Sequence, residues 1–306
     1  MPKIDYEKYL VRKPLLESGS GIKSRQSPVM TYMSNKLVPE AKYYVELGWI
    51  YGIPEPNPHI YEHTHDFDEI VLHIGNDLNN PQYLGGEIEY YLGGQPLTFD
   101  ITTAIFVPKG IKHGPVTWKK FEKPHLEISI ILGPASTEVG WQGIGTSESA
   151  EVIPQKKDDI DYEKYLVRKP ILEVDTGARV KGRHDPSMTY ISNIQVPGCN
   201  TYLEYAWIWD MPEPNPPIPE HTHDYDEIVL HWGSDPDNPE DLGSEIEYCL
   251  GGQPLTFNTT NAIFVPKHLK HGPLTWKSVI SPHFEMAIVI GAGTLAESDP
   301  GGHRQT

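Results

Sequence analysis

The stretch EHTHDFDEIVLH, which runs from Glu62 to His73, occurs again as EHTHDYDEIVLH from Glu220 to His231. The same offset of 158 residues relates the paired stretches MTYMSN and MTYISN, and the two copies of GGQPLTF and KHGP. The opening IDYEKYLVRKP likewise returns near residue 160. A repeat of this length is one whole domain, so the sequence predicts a tandem pair with domains over residues 1–150 and 151–306.

Within each copy, short runs rich in Val, Ile, Tyr, Phe and Thr are separated by turns of Gly, Pro and Asn, which is typical of strands. The chain has 29 prolines, and proline is tolerated neither inside helices nor in central strands. Because sheet edges must be protected in a soluble protein, many short strands indicate sandwiches or closed barrels. We therefore predict an all-β fold with two tandem barrels.

Three histidines and one carboxylate recur as a set in both copies. His63 and His65 are two residues apart, so on a strand they point to the same face, and Glu69 follows after a short turn. His113 comes later, in PKGIKHGP, where a turn can return it toward the others. Nitrogen and oxygen donors of this kind suit iron, manganese, nickel, cobalt, copper or zinc. The second copy carries the same set as His221, His223, Glu227 and His271.

These residues form the patterns His-x-His-x-x-x-Glu and Pro-x-Gly-x-x-His, in which they resemble the two motifs of the cupin superfamily. The chain thus resembles a bicupin. The resemblance implies a double-stranded β-helix, or jelly-roll barrel, in each half, with metal ligands at the eight positions above and one divalent transition metal per domain. In the second copy His268 replaces the glycine of Pro-x-Gly, which predicts a changed turn before His271. The intact turn favours the first copy as the catalytic one.

A polar stripe recurs on the strand that begins at His125. His125 and Glu127 alternate with apolar residues, and His283 and Glu285 repeat the pattern in the second copy. Such residues beside a metal can serve as general acids or bases, as can the ligand carboxylates Glu69 and Glu227. The alternative is the solvated face of an edge strand, and the alternation by itself does not decide between the two.

Other paired polar residues have simpler interpretations. His73 and His231 are too far along their strands to reach the same metal as the ligands, and we interpret them as hydrogen-bonded interior histidines. The alternation of Tyr44 with Glu46, repeated in the second copy, is common in half-buried antiparallel strands. Four aromatic residues in strand positions are compatible with an aromatic pocket, but they also suit core or rim packing: Trp49, Tyr51, Trp207 and Trp209.

The metal set favours an enzyme over a storage or regulatory protein. The first hypothesis is a non-haem metal dioxygenase that acts on a small oxygenated organic substrate. The second is a redox-neutral decarboxylase, lyase or isomerase that acts on a carboxylate or carbohydrate. The third is a small-molecule binding bicupin without turnover. A requirement for oxygen distinguishes the first from the second, and ligand binding without product would identify the third.

The composition excludes several partners. The chain has 25 Lys and Arg against 42 Asp and Glu, a net charge of −17, which disfavours nucleic acid and anionic lipid. It has no apolar run long enough to cross a bilayer and no apolar segment at its start, so we expect a cytoplasmic protein. The two cysteines both fall in the second half, so we expect them to be reduced. The expected partner is a small-molecule substrate, and the resemblance leaves a homo-oligomer open.

Overall fold

A computed structural model of the chain describes residues 4–133, 136, 160–173 and 179–298. The chain divides into two compact units. The first unit is Pro14–Lys169, and the second combines Met1–Lys13 with Pro170–Thr306. Each opening segment therefore folds with the other copy. The boundary predicted at residue 150 lies outside the described residues.

Both opening segments have the same local structure. In the second unit, the segment forms a 3₁₀ helix (Tyr6–Tyr9) and then strand β1 (Leu10–Val11). The Asp5 side chain accepts a hydrogen bond from the backbone N–H of Glu7 and so caps this helix. The segment of the first unit repeats the arrangement with a 3₁₀ helix over Tyr162–Tyr165.

The first unit is built from antiparallel strands. They are β2 (Lys23–Arg25), β3 (Met30–Met33), β4 (Tyr44–Glu55), β5 (Asp68–Gly75), β6 (Tyr83–Leu92), β7 (Gln95–Ile101), β8 (Thr103–Val107), β9 (His113–Phe121), β10 (His125–Leu132) and β11 (Leu166–Val167). In the described residues these strands form a seven-stranded sheet of order β11-β8-β5-β10-β4-β2, in which β3 also pairs with β4. A three-stranded sheet has the order β7-β6-β9.

The second unit repeats this plan. Its further strands are β12 (Ile171–Glu173), β13 (Lys181–Arg183), β14 (Ser187–Ile191), β15 (Thr201–Glu213), β16 (Asp226–Gly233), β17 (Asp241–Leu250), β18 (Gln253–Thr259), β19 (Asn261–Val265), β20 (His271–Val279) and β21 (His283–Ile290). The large sheet has the order β1-β19-β16-β21-β15-β14-β12, in which β13 also pairs with β15. The three-stranded sheet has the order β18-β17-β20. The prediction of an all-β chain with two barrels is confirmed.

The alternation of apolar and polar residues explains how the strands face the core. In β7, Leu97 and Phe99 are buried, whereas Pro96, Thr98 and Asp100 are exposed. The core of the first unit lies between its two sheets, with Trp118 of β9 among the largest fully buried side chains. The polar strand β10 lies between β4 and β5, so the interpretation of the His125 stripe as an edge strand is wrong.

Two sequence expectations are tested by simple facts of the structure. Cys199 and Cys249 are both free, as predicted. Among the described residues, the structure has no helix of the length and apolar character that a membrane span requires.

The opening segment of the second unit packs against a glycine hairpin. The backbone N–H of Tyr6 donates to the Gln253 side chain, and Leu10 pairs with Ile263. The Tyr6 ring lies directly over Gly251, where a Cβ atom would be 2.3 Å from the ring carbons Cε2 and Cζ. Glycine is therefore required at this position by close packing as well as by its positive φ.

Gly251→Ala should destabilise the second unit by about 2 kcal/mol more than Gly252→Ala. Both glycines have positive φ, at 55° and 78°, so both variants carry the backbone strain of about 1 kcal/mol. A Cβ on Gly252 meets nothing within 4 Å, whereas one on Gly251 must displace Tyr6, with loss of its packing. Urea unfolding of the two variants measures the difference in their free energies of unfolding. Equal losses of this free energy would show that the opening segment does not depend on the contact of Tyr6 with Gly251.

Candidate functional site

Backbone pairing brings the first and last histidines of the motif side by side. The N–H of His63 donates to the carbonyl of His113 over 2.9 Å, and the N–H of His113 donates back over 3.0 Å. His65 lies two residues further on, and Glu69 is the second residue of β5. The second unit has the same reciprocal pair between His221 and His271, at 2.8 and 3.0 Å.

Each ligand histidine has one ring nitrogen fixed by the backbone. The Nδ1 atoms of His63, His65 and His113 lie 2.8, 2.8 and 3.0 Å from the carbonyl oxygens of Tyr61, Phe67 and Ile111. A carbonyl only accepts, so each Nδ1 carries a proton, and Nε2 is the atom that a neutral ring leaves for a metal. The second unit repeats this for its three histidines, at 2.7 to 2.9 Å. This arrangement is typical of metal-ligating histidines.

The ligand atoms converge in a way that calls for a cation. In each unit the three histidine ligand atoms lie within 4.8 Å of one another. Glu69 Oε2 lies 3.2 Å from His65 Nε2 and 3.3 Å from His113 Nε2. The buried Nε2 of His113 has no hydrogen-bond donor or acceptor to satisfy it. Lone pairs that face a carboxylate this closely fit a shared divalent metal, so each unit has a metal-binding site.

The second unit has the same set with slightly longer separations. Glu227 Oε2 lies 3.4 Å from His223 Nε2 and 3.5 Å from His271 Nε2, and both of these nitrogens are buried without a hydrogen bond. His268 adopts a positive φ of 66°, close to the 77° of Gly110 in the first unit. The expectation of a changed turn is therefore wrong, because His268 takes the left-handed conformation that glycine takes in the other copy.

The surroundings of the ligands favour neutral imidazoles at His63 and His271 and ionised carboxylates at Glu69 and Glu227. Burial lowers the pKa of His63 and that of His271 to about 4, so both imidazoles are neutral near pH 7. Burial alone would raise the pKa of Glu69, but His113 and His65 outweigh it and the pKa falls below its usual range. The balance has the same direction at Glu227, where the neighbouring histidines again overcome burial and lower the pKa.

Ser129 supports the ligand carboxylate in the first unit only. Its hydroxyl donates to Glu69 Oε1 over 2.6 Å, which leaves Oε2 directed at the histidines. Residue 287 occupies the equivalent position of β21 and is alanine. Hydrogen bonds of this kind orient metal ligands and raise affinity, so the two sites differ in ligand support.

The ligands of the first unit open on a buried cavity of about 50 Å³. This is several times the volume of about 10–15 Å³ that one water needs on the same measure. Its apolar lining is mostly aliphatic, from Val29, Leu47, Ile60, Val71, Val116 and Ile131. None of the four aromatic residues that were compatible with a pocket lines it. Trp49 is buried elsewhere, and Tyr51 is 38% exposed.

Two further carboxyl groups and one guanidinium face the same cavity. Arg25 donates from Nε and Nη2 to Glu127 Oε2, at 3.1 and 2.8 Å, while its buried Nη1 has no hydrogen-bond partner. Glu46 accepts hydrogen bonds from the hydroxyls of Ser18 and Tyr44, both at 2.7 Å. Burial raises the pKa of Glu46, although Arg25 partly offsets it.

The cavity of the second unit is larger, at about 100 Å³. Its pair Arg183–Glu285 is looser, with Nη1 3.5 Å from Oε2, because Arg183 also donates to Ser187 Oγ and to the His184 carbonyl. Burial raises the pKa of Glu285, with Arg183 in partial opposition. Tyr225 adds a hydroxyl here, where the first unit has Phe67, and donates it to the Ser298 carbonyl.

The candidate acid–base residues separate into two groups. Glu127 and Glu285 line the two cavities beside the metal ligands. His125 and His283 do not line them; each accepts the indole N–H of a buried tryptophan, at 3.1 and 3.0 Å. This placement favours a structural role for both histidines. His73, directly opposite Glu127 in the sheet, is fully buried as predicted, but neither of its ring nitrogens is hydrogen-bonded, so its interpretation as a hydrogen-bonded histidine is wrong.

Sequence reasoning missed the arginines and undervalued Glu46. Arg25 and Arg183 occupy equivalent positions in the two copies and lie far from the motifs. Their recurrence in otherwise variable segments is the signal that could have found them. Glu46 and Glu204 recur in the same way, and both line a cavity rather than an ordinary strand face.

Solved structures with the same architecture include AerE from Microcystis aeruginosa, with a TM-score of 0.53, 13% identity, and coverage of 92% of this chain and 99% of that one. Vicilin from hazelnut, Corylus avellana, has a TM-score of 0.56 and 10% identity, with coverage of 93% of this chain and 86% of that one. Oxalate decarboxylase from Bacillus subtilis, in a study of its Mn(II) centres, has a TM-score of 0.52 and 10% identity, with coverage of 92% of this chain and 80% of that one.

The chain has the duplicated cupin fold. At these identities the similarity concerns the fold alone. No protein-family profile matches the sequence of this bicupin, and no curated protein sequence is significantly similar to it. The assignment of its two metal sites therefore rests on the geometry of its own residues.

Ser129→Ala should weaken metal binding at the first site of the bicupin by about 10-fold or more, because Glu69 loses the hydrogen bond that orients it. The measurement is competition with a chelating dye in a His221→Ala background, which isolates the first site. Ala287→Ser in a His63→Ala background is the matched control and should tighten the second site. Unchanged affinity in Ser129→Ala would show that the hydroxyl does not support the ligand.

His73→Phe should remove part of the acid sensitivity of the first unit. Burial lowers the pKa of His73 to about 3, whereas an unfolded histidine titrates near about 6.5. The stability contributed by the neutral ring is complete above pH 6.5 and is lost as the pH falls toward 3, by about 1.4 kcal/mol per pH unit. Relative to wild type, the variant should gain about 2 kcal/mol between pH 7 and pH 5 in urea unfolding. Parallel pH profiles would contradict this.

Proposed function

We propose that this bicupin is a metal-dependent enzyme that acts on a small oxygenated organic substrate. The observation that carries the proposal is the same in both units: the metal ligands open on a buried cavity that also contains ionisable side chains. A purely structural metal site is closed by its protein ligands. Four ligands leave room for a substrate oxygen on a six-coordinate ion.

The residues of the first unit have separate tasks in this proposal. His63, His65, His113 and Glu69 would hold a divalent transition metal, which would polarise a substrate oxygen or exchange electrons with dioxygen when bound. Ser129 orients Glu69, and Arg25 holds Glu127 in place. The aliphatic side chains exclude bulk water and limit the substrate to a small molecule. Manganese is a first candidate, since the similar oxalate decarboxylase is described by its Mn(II) centres.

Two reaction classes are compatible with this site. A dioxygenase, the first hypothesis, needs a redox-active metal and an open position for oxygen. A redox-neutral decarboxylase, lyase or isomerase needs a positioned acid or base, and Glu46 beside the ligands supports this second class. Both classes share substrate binding through oxygen and differ in whether oxygen is consumed.

Metal content is the first test. Protein purified without chelators or a metal-binding tag should carry one equivalent of a transition metal for each of the two ligand sets. His63→Ala and His221→Ala should each remove one equivalent, and the double variant both, as measured by plasma mass spectrometry. A wild-type protein that takes up no metal on reconstitution would overturn the enzymatic proposal.

Oxygen dependence then separates the reaction classes. The metal-loaded protein is incubated with a panel of small keto, hydroxy and dicarboxylic acids, in air and without oxygen. Product only in air, with oxygen uptake, supports a dioxygenase, and product in both conditions supports a redox-neutral enzyme. Binding of an acid by calorimetry with no product under either condition would instead identify a binding protein.

A further inference from the structure

We propose that Glu46 is the catalytic proton-transfer residue of the first unit, and that its substrate is a small aliphatic carbonyl compound with an acidic C–H. This rests on the proposed function and names the group that would move the proton. The inference begins from position. Glu46 lines the cavity that His63, Glu69 and His113 also line.

The sheet register places Glu46 one row of side chains from the metal ligands. In the pairing of β4 with β10, Glu46 lies opposite Ser129, and the Ser129 hydroxyl donates to Glu69. Residues directly opposite in an antiparallel pair have Cα atoms about 4.5–5.5 Å apart. A small molecule in this cavity would therefore be within reach of both the metal ligands and Glu46.

The hydrogen bonds of Glu46 leave one of its oxygens available. Ser18 and Tyr44 both donate to Oε2, and Thr31 lies 2.9 Å from the Tyr44 hydroxyl and so fixes it in turn. Within the described parts of the chain, no residue donates a hydrogen bond to Oε1. The carboxyl is thus held at one oxygen while the other remains able to give or take a proton.

The second carboxyl of the cavity, that of Glu127, is already paired with a cation. Arg25 donates twice to Glu127 Oε2, and it is the cation nearest to both carboxyls. The charged and titratable groups that act most on Glu46 are Arg25 from β2, Tyr44 on its own strand and Glu127 from β10, while the ligands His63, Glu69 and His113 line the same cavity. Arg25 donates to Glu127 and offsets the burial of Glu46 only in part, so the pKa of Glu46 stays raised and its ionised form is a stronger base.

The proposed step is enolisation. The ionised Glu46 takes the proton from the carbon beside the carbonyl, the C–H bond breaks, and an O–H bond forms on Glu46. The electron pair moves onto the carbonyl oxygen as an enolate. The proton on Glu46 exchanges with solvent, and return of a proton from Glu46 to the carbon restores the carbonyl compound and the ionised carboxylate. The aliphatic lining and a cavity of about 50 Å³ suit a substrate of a few carbon atoms. An enolate can then react with oxygen or rearrange, so the step is common to both reaction classes.

Exchange of carbon-bound hydrogen in deuterium oxide tests the proposal. The metal-loaded protein is incubated with 2-oxobutyrate or acetylacetone, and deuterium in the recovered probe is measured by mass spectrometry. Wild type should exchange one or both probes above the background without enzyme. Glu46→Gln should lower the rate by at least about 100-fold with metal content and melting temperature unchanged. Glu55→Gln, on the same strand but exposed, is the matched control and should keep the rate.

Two further variants keep the test decisive if Glu46→Gln folds poorly. Glu46→Asp keeps the carboxyl and should retain partial exchange. Tyr44→Phe removes a donor to the carboxylate and should move the pH–rate midpoint upward, which a merely structural role of Glu46 would not cause.

The outcomes distinguish this inference from the proposed function. Exchange by wild type that persists in Glu46→Gln overturns the role of Glu46 and leaves the metal enzyme standing. No exchange by a fully metal-loaded wild type overturns the substrate class and the proton-transfer role, while the screen of acids still decides the proposed function. Failure to load metal overturns both.

Discussion

The structure depends on the enclosure of three imidazoles and one carboxylate inside a closed barrel. Each imidazole is fixed through Nδ1 by a backbone carbonyl, which leaves its Nε2 for the interior. An Nε2 atom that lies 3.2 or 3.3 Å from a carboxylate oxygen needs a proton or a metal cation between the two. Metal binding at this set would therefore contribute to folding. The other polar groups of the first cavity, Arg25, Glu46, Glu127 and Ser129, line the same space as these ligands.

The two-residue period of the strands carries polar side chains from the ligands into the barrel. Glu69 is followed along β5 by Val71 and His73 on the same face, and the register places Ser129 and Glu127 opposite them on β10. Arg25, from the short strand β2, enters this interior and pairs with Glu127. The Arg25 guanidinium is hydrogen-bonded to Glu127 and only partly offsets the effect of burial on the pKa of Glu46, so the two carboxyls have different surroundings. Differences of this kind separate acids from bases in enzyme sites.

The sequence could predict the fold and the metal ligands because both depend on short-range patterns. His63 and His65 share a face by spacing alone, and the duplication supplied a second copy of every motif. Arg25 could not be assigned from spacing, because its approach to Glu127 follows from strand pairing over about a hundred residues of chain. Glu46 was interpreted as ordinary alternation because burial of one strand face says nothing about what that face encloses. The exchange of opening segments also depends on long-range pairing, such as Leu10 with Ile263.

The duplication shows which parts of the site tolerate change. The ligands are identical in both copies, since each is fixed by its own local backbone and any change removes a donor to the metal. His268 replaces a glycine without altering the turn, because histidine can adopt the same positive φ at a modest cost. The supporting groups come from separate strands and differ between the units. Ala287 stands in the second unit where the first has Ser129, and the arginine–glutamate distance is 2.8 Å in the first unit and 3.5 Å in the second. The two units thus keep one metal-binding geometry while the surroundings that tune proton transfer and affinity differ, which gives one chain two chemically distinct sites.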